Sequence, residues 1–150
     1  MGLDMYLEAK LHLPPYSEER APVRQAIGQA IGYNPPVEKP GNDATLMEIT
    51  DVTARLGYWR NFDPLHQWFV NNAQEGHDDC WPAYIAPDVL AALEEQLEQV
   101  SDDPESVSEH FISESDELMT EGDIDYTLRI VVQAKKLQER GWDIYYRASW

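Results

Sequence analysis

The residues best suited to chemistry lie close together in the middle of the chain. Tyr58-Trp59-Arg60-Asn61 is followed by His66, then Trp68-Phe69 and Asn71-Asn72, and His77-Asp78-Asp79-Cys80 comes next. An arginine anchor, an aromatic ring to stack on and a histidine donor are the parts of a site for a small anionic, nucleotide-like ligand. Tyr58, Trp59, Arg60, His66, Asp78 and Asp79 form that candidate set, with Trp68 as an alternative stacking ring. His66, Asp78, Asp79 and Cys80 are also metal-ligand types. No second histidine stands one helical turn from His66, however, and the spacing matches no closed zinc pattern, so no metal is expected. Cys80 as a nucleophile with His66 as its base would depend wholly on the fold bringing the two together. The plainer reading is structural: Arg60 pairs with Asp78 or Asp79, and His66 is hydrogen-bonded in a half-buried position, because buried charge needs a partner.

A second feature is the distribution of charge. The 150 residues carry 28 acidic and 11 basic side chains, a net charge of -17, with a sequence pI near 4.3. Between Arg60 and Arg129 there is no lysine or arginine, and eighteen of the 28 carboxylates fall in that interval. Thirteen of them lie between Glu94 and Asp125. Such a run is ordinarily a solvated face. It also suits a surface that presents negative charge to a basic partner, steering the encounter over long range. The candidate partner-binding residues are Glu94, Glu95, Glu98, Asp102, Asp103, Glu105, Glu109, Glu114, Asp116 and Glu117. Direct binding to a nucleic-acid backbone or an anionic membrane is excluded by the same imbalance. A divalent-cation sponge is a further use for the acids, but no EF-hand loop occurs.

The elements that must position these residues are readable from periodicity. Leu3, Met5, Leu7, Ala9, Leu11 and Leu13 alternate with polar residues, which predicts a first strand ended by Pro14-Pro15. Pro22 suits the first turn of a helix with the apolar stripe Val23, Ala26, Ile27, Ala30 and Ile31, stopped by Gly32. Residues 33–44 read as a loop and 45–60 as a strand whose alternation slips near Thr50–Thr53, predicting a bulge or bend. Asp63-Pro64 predicts a cap and first turn for a helix ended by Gly76. Tyr84-Ile85 reads as a short strand. Pro87 opens a helix with Val89, Leu90, Leu93, Leu97 and Val100 at helical spacing. Residues 101–117 read as loop or short helix. A last helix starts near Asp123 or Asp125, ends at Gly141 and is followed by a strand over 142–149. The mixture lacks a strict βαβ rhythm. It predicts one α+β domain over 1–150, a small mainly antiparallel sheet packed with three to four helices, with an acidic segment over about 94–125.

Composition narrows the function classes further. Hydrophobic residues are 43% and charged residues 26%, the balance of a soluble globular chain. No apolar run reaches the roughly 18 residues of a membrane span, and the start MGLDMYLEAKLHL lacks the regions of a signal peptide, so a cytoplasmic site is expected. A single cysteine excludes an intrachain disulfide. Phosphate loops, dinucleotide fingerprints and nucleophile elbows are absent, and no cofactor is expected.

The opening MGLDMYL, the block YWRNFDPLHQWFVNN with GHDDC and Tyr84, and the ending with Asp143, Tyr145-Tyr146 and Ser149-Trp150 resemble a family of small phage and prophage proteins. That family opens with MGLDMYL, carries a YWRKAN-x-IHxWFV-like block and a DDC motif, and closes an aromatic strand with SSW. The resemblance implies a phage origin and action in the host cytoplasm, and it implies no particular chemistry. The chain departs from the pattern at Phe62, where the family has a small residue. It departs again at HFISESDELMTEGDID, where the family has a Gly- and Phe-rich stretch. Set against the resemblance, this departure implies that the acidic surface is a specialisation of this chain.

Charge and resemblance together predict a non-catalytic accessory protein. It would inhibit a host complex with a basic nucleic-acid-binding surface, such as a CRISPR effector, by mimicking nucleic acid. The rival expectation is a ligand-binding protein or enzyme centred on Arg60 and His66. A third is an assembly protein, monomer or homodimer, pairing through exposed edges of the first and last strands.

Overall fold

The computed structural model describes residues 2–33, 49–112 and 119–150. The fold is α+β, with five helices and a four-stranded antiparallel sheet among the described residues. In chain order the elements are β1 (Asp4–His12), α1 (Ala21–Ala30), β2 (Asp51–Arg60), α2 (Asp63–Ala73), β3 (Ala83–Ile85), α3 (Pro87–Asp102), a single 3-10 turn (Pro104–Ser106), α4 (Val107–His110), α5 (Glu121–Gln138) and β4 (Asp143–Ser149). The sheet order is β2-β1-β4-β3. The first and last strands are therefore the two central ones. This corrects the expectation that their edges are exposed: the edges belong to β2 and β3.

By its contacts the chain forms two compact units, Met1–Ala9 with Ala54–Trp150, and Lys10–Thr53. In the larger unit the strand alternation is realised as burial. Met5, Leu7, Ala9, Ile85, Ile144, Tyr146 and Ala148 face one core with Leu65, Phe69, Leu90, Leu93, Leu97, Ile124, Ile130 and Val131 from α2, α3 and α5. Every second strand residue is apolar, and helical positions three and four apart supply the opposing stripe, so burial fixes both registers. β3 and β4 pair with Tyr84 opposite Tyr145 and Ile85 opposite Ile144.

The helix ends follow local chemistry. α5 begins in a capping box: the Thr120 hydroxyl accepts from the Asp123 amide at 3.2 Å, and the Asp123 carboxylate accepts from the Thr120 amide at 3.0 Å. The box sets the start slightly upstream of the expected Asp123–Asp125. Gly141, at φ 82°, turns the chain into β4, as a glycine there can. At α2 the expected Asp63 cap is displaced. Phe62 is the cap residue and its side chain makes no cap bond, while Asp63 is the first helical residue. Phe62 is buried, so its packing fixes the entry to the helix.

A break of alternation lies within β2 further along than Thr50–Thr53, where Leu56 and Gly57 both turn inward. Arg55 and Tyr58 both lie against the Tyr6 ring, on one face, although they are an odd number of residues apart. Leu56 packs against the core, and so does Trp59. One extra residue must therefore sit at Leu56-Gly57. A Cβ on Gly57 would stand 2.7 Å from Ile130 Cδ1 and 2.7 Å from the Trp59 ring, so the crowded inner side of this bulge accepts only glycine without repacking.

In the smaller unit α1 forms where expected, but its stripe is not a buried face. Only Gly28 is buried, and Ile31 is 67% exposed. Arg24 ties the helix down instead, donating to the carbonyls of Pro14, Pro15 and Ser17. Asp51 accepts from the Thr50 hydroxyl at 2.9 Å and pairs with His12 and Lys10. The Thr50 bond, then His12 and Lys10, hold its carboxyl below the ordinary value. Among the described residues no helix is long and apolar enough to cross a membrane.

Candidate functional site

The six residues of the candidate ligand site are dispersed by the fold. Tyr58 and Trp59 are neighbours on a strand, so they face opposite ways. Trp59 is buried in the core, where its indole N–H donates to Thr127 Oγ1 at 3.1 Å and its ring meets Tyr126 edge-on at 5.9 Å. Trp68, the alternative stacking ring, is also buried and donates to Gln96 Oε1 at 2.6 Å. Neither tryptophan offers a ring face to a ligand. Tyr58 and Arg60 lie on the other side of the sheet and are exposed. The Tyr58 hydroxyl donates to Asp4 at 2.6 Å, and this bond to the carboxylate raises the phenol above its ordinary value.

What the structure does bring together is a chain of hydrogen bonds through His66. The first turn of α2 buries His66, which is only 4% exposed. Its Nε2 meets Asp78 Oδ1 at 3.1 Å, and its Nδ1 meets the Tyr146 hydroxyl at 2.7 Å. Burial, and then the Asp78 charge, push the Tyr146 phenol far above its ordinary value. The Asp78 carboxylate can only accept, so Nε2–H donates to it, and in that neutral tautomer Nδ1 accepts from the Tyr146 hydroxyl. Phe69 stacks on Tyr146 with centroids 4.1 Å apart, and Trp150 meets the His66 ring edge-on at 5.9 Å. Both imidazole nitrogens are thus committed. Tyr146 is fully buried, so one end of the relay lies in the core, while the other, Asp78, is 45% exposed.

Asp79 is used locally. It accepts from the Trp81 amide at 2.9 Å and from Gln74 Nε2 at 3.4 Å. With Asp78 on His66 and Asp79 on these partners, the expected Arg60 pairing does not form. The residues that sequence reasoning missed are Tyr146 and Trp150. Tyr146 was legible in one respect: it alternates in phase with Ile144 and Ala148, which places it inward. Cys80 is exposed and outside the relay. No group of three potential metal ligands occurs among the described residues.

The acidic candidates divide more simply. Glu94 is half-buried and ion-paired with Lys135 of α5, so it serves helix packing. Glu95, Glu98 and Asp102 are exposed at helical spacing along one side of α3. Asp103, Glu105 and Glu109 extend the exposed acids through the 3-10 turn and α4. Asp103 also accepts from the Glu105 amide at 3.3 Å. None of these six is ion-paired with a lysine or arginine among the described residues. Glu114, Asp116 and Glu117 lie outside the described residues. Comparisons with protein-family models, curated proteins and solved structures return no match for this chain.

Proposed function

We propose that the protein is a non-catalytic inhibitor that docks the acidic edge formed by α3, the 3-10 turn and α4 onto a basic, nucleic-acid-binding surface of a partner complex. One observation carries this reading: Glu95, Glu98, Asp102, Asp103, Glu105 and Glu109 form an exposed run of carboxylates with no lysine or arginine paired to them among the described residues. Like charges at such spacing repel one another, and a partner's lysines and arginines would relieve that repulsion. An occluded nucleic-acid channel supplies those cations in a matching arrangement. The phage-like sequence features favour a host defence machine, such as a CRISPR effector, as the complex, and the host cytoplasm as the place of action.

The test is affinity capture from host lysate at about 50 and about 300 mM salt, a range over which several charge contacts weaken strongly. The parent protein is compared with a Glu95→Gln, Glu98→Gln, Asp102→Asn variant. The expected result is a nucleic-acid-binding complex that is shed at high salt, displaced by added duplex nucleic acid and lost in the variant. Capture indifferent to all three would sink the reading.

A further inference from the structure

The sheet has a second face. α2, α3 and α5 bury one side of the strands in the core, so the alternate side chains point away from it. Each strand places one tyrosine there: Tyr58 on β2, Tyr6 on β1, Tyr145 on β4 and Tyr84 on β3, in the spatial order of the sheet. The rings of Tyr58 and Tyr6 are 5.4 Å apart, and those of Tyr145 and Tyr84 are 5.8 Å apart. Arg55 lies over Tyr6 at 4.3 Å from its centroid, and Arg147, from the same strand as Tyr145, lies over it at 5.2 Å. Tyr58 and Tyr84 remain 42% and 51% exposed. The Arg147 Nε has no acceptor among the described residues.

The charges on this face are balanced. Arg55, Arg60 and Arg147 stand among Asp4, Glu8 and Asp143, and Arg147 already reaches Glu8 at 3.6 Å. In a chain of net charge -17, this side of the sheet carries none of the excess. Tyrosine and arginine are also the residues that dominate the centres of protein interfaces.

We propose that this tyrosine–arginine face is the docking surface for a second copy of the chain, the two sheets meeting face to face about a two-fold axis. The charge pattern selects that occupant. A single-stranded nucleic acid would also stack on the tyrosines, but it requires a net-positive track, and this face is neutral. In an isologous contact each patch meets its own copy, so arginines of one protomer meet carboxylates of its partner. The exposed carboxylates of α3, on the opposite side of the sheet, then point away from one another, and two strongly acidic chains can associate.

Sedimentation equilibrium between about 5 and about 200 µM, at about 150 and about 500 mM salt, tests the proposal. A dimer is expected, tighter at the higher salt because screening weakens the repulsion between net charges. Arg55→Glu and Tyr84→Ala alter exposed side chains, so the fold should persist, checked by circular dichroism and thermal melting. Each should weaken dimerisation at least about tenfold, while Gln133→Ala on the exposed side of α5 leaves it unchanged. A monomer at every concentration and salt would overturn the proposal. So would a dimer insensitive to both variants, or a monomer that binds a single-stranded oligonucleotide through Tyr84.

Discussion

At the scale of single residues, the two hydrogen bonds of His66 have unequal consequences because their partners differ in exposure. The Asp78 side chain is 45% exposed, so water takes over much of its role when it is removed. The Tyr146 hydroxyl is fully buried, and no water replaces it without a cavity large enough to hold one. Tyr146→Phe leaves His66 Nδ1 without its donor in a dry position, a loss of about 1–3 kcal/mol. Asp78→Ala should cost less than about 1 kcal/mol. Urea denaturation of the two variants checks the order, and the reverse order would mean that Asp78 holds more of the fold than its exposure indicates. The polar cluster was legible in sequence as types but not as a set. His66 and Asp78 stand in one stretch of chain, whereas Tyr146 reaches them only through the pairing of distant strands. The burial of Trp59 and Trp68 was hidden for a similar reason, since which side of an aromatic-rich strand or helix faces inward depends on the core it joins.

At the scale of elements, periodicity located nearly every strand and helix, because a two-residue or 3.6-residue repeat is a direct record of burial. It did not reveal the break at Leu56-Gly57, where two successive residues turn inward while Arg55 and Tyr58 both lie against Tyr6. That bulge explains how Tyr58 and Arg55 share one face while Leu56 and Trp59 share the other. Gly57→Ala would press a methyl group against Ile130 Cδ1 and the Trp59 ring, both 2.7 Å from the new carbon. Trp59 is held by its bond to Thr127, so the ring has little freedom to yield. The expected destabilisation is about 1–3 kcal/mol, read from the denaturation midpoint. An unchanged midpoint would show that β2 can slide to relieve the contact. In α1 helical apolar spacing does not record burial: Arg24 rather than a buried face secures the helix.

At the scale of the whole molecule, the acids divide between stability and an external role. Glu94 is matched by Lys135, so this pair joins α3 to α5. Glu95, Glu98 and Asp102 have no such partner among the described residues and repel one another along the helix, in a chain already carrying a net charge of -17. Carboxylates kept for folding would cost stability when neutralised, whereas carboxylates kept for a partner would cost none. The Glu95→Gln, Glu98→Gln, Asp102→Asn variant should therefore be as stable as the parent or more so, by about 0.2–0.5 kcal/mol for each relieved pair. The gain should shrink as added salt screens the repulsion. Glu94→Gln should move the other way, because it leaves Lys135 half-buried without its counter-charge. Thermal melts at low and high salt measure both. A triple variant less stable than the parent would place those carboxylates in the service of the fold, and the acidic edge would lose its claim to be a surface maintained for binding.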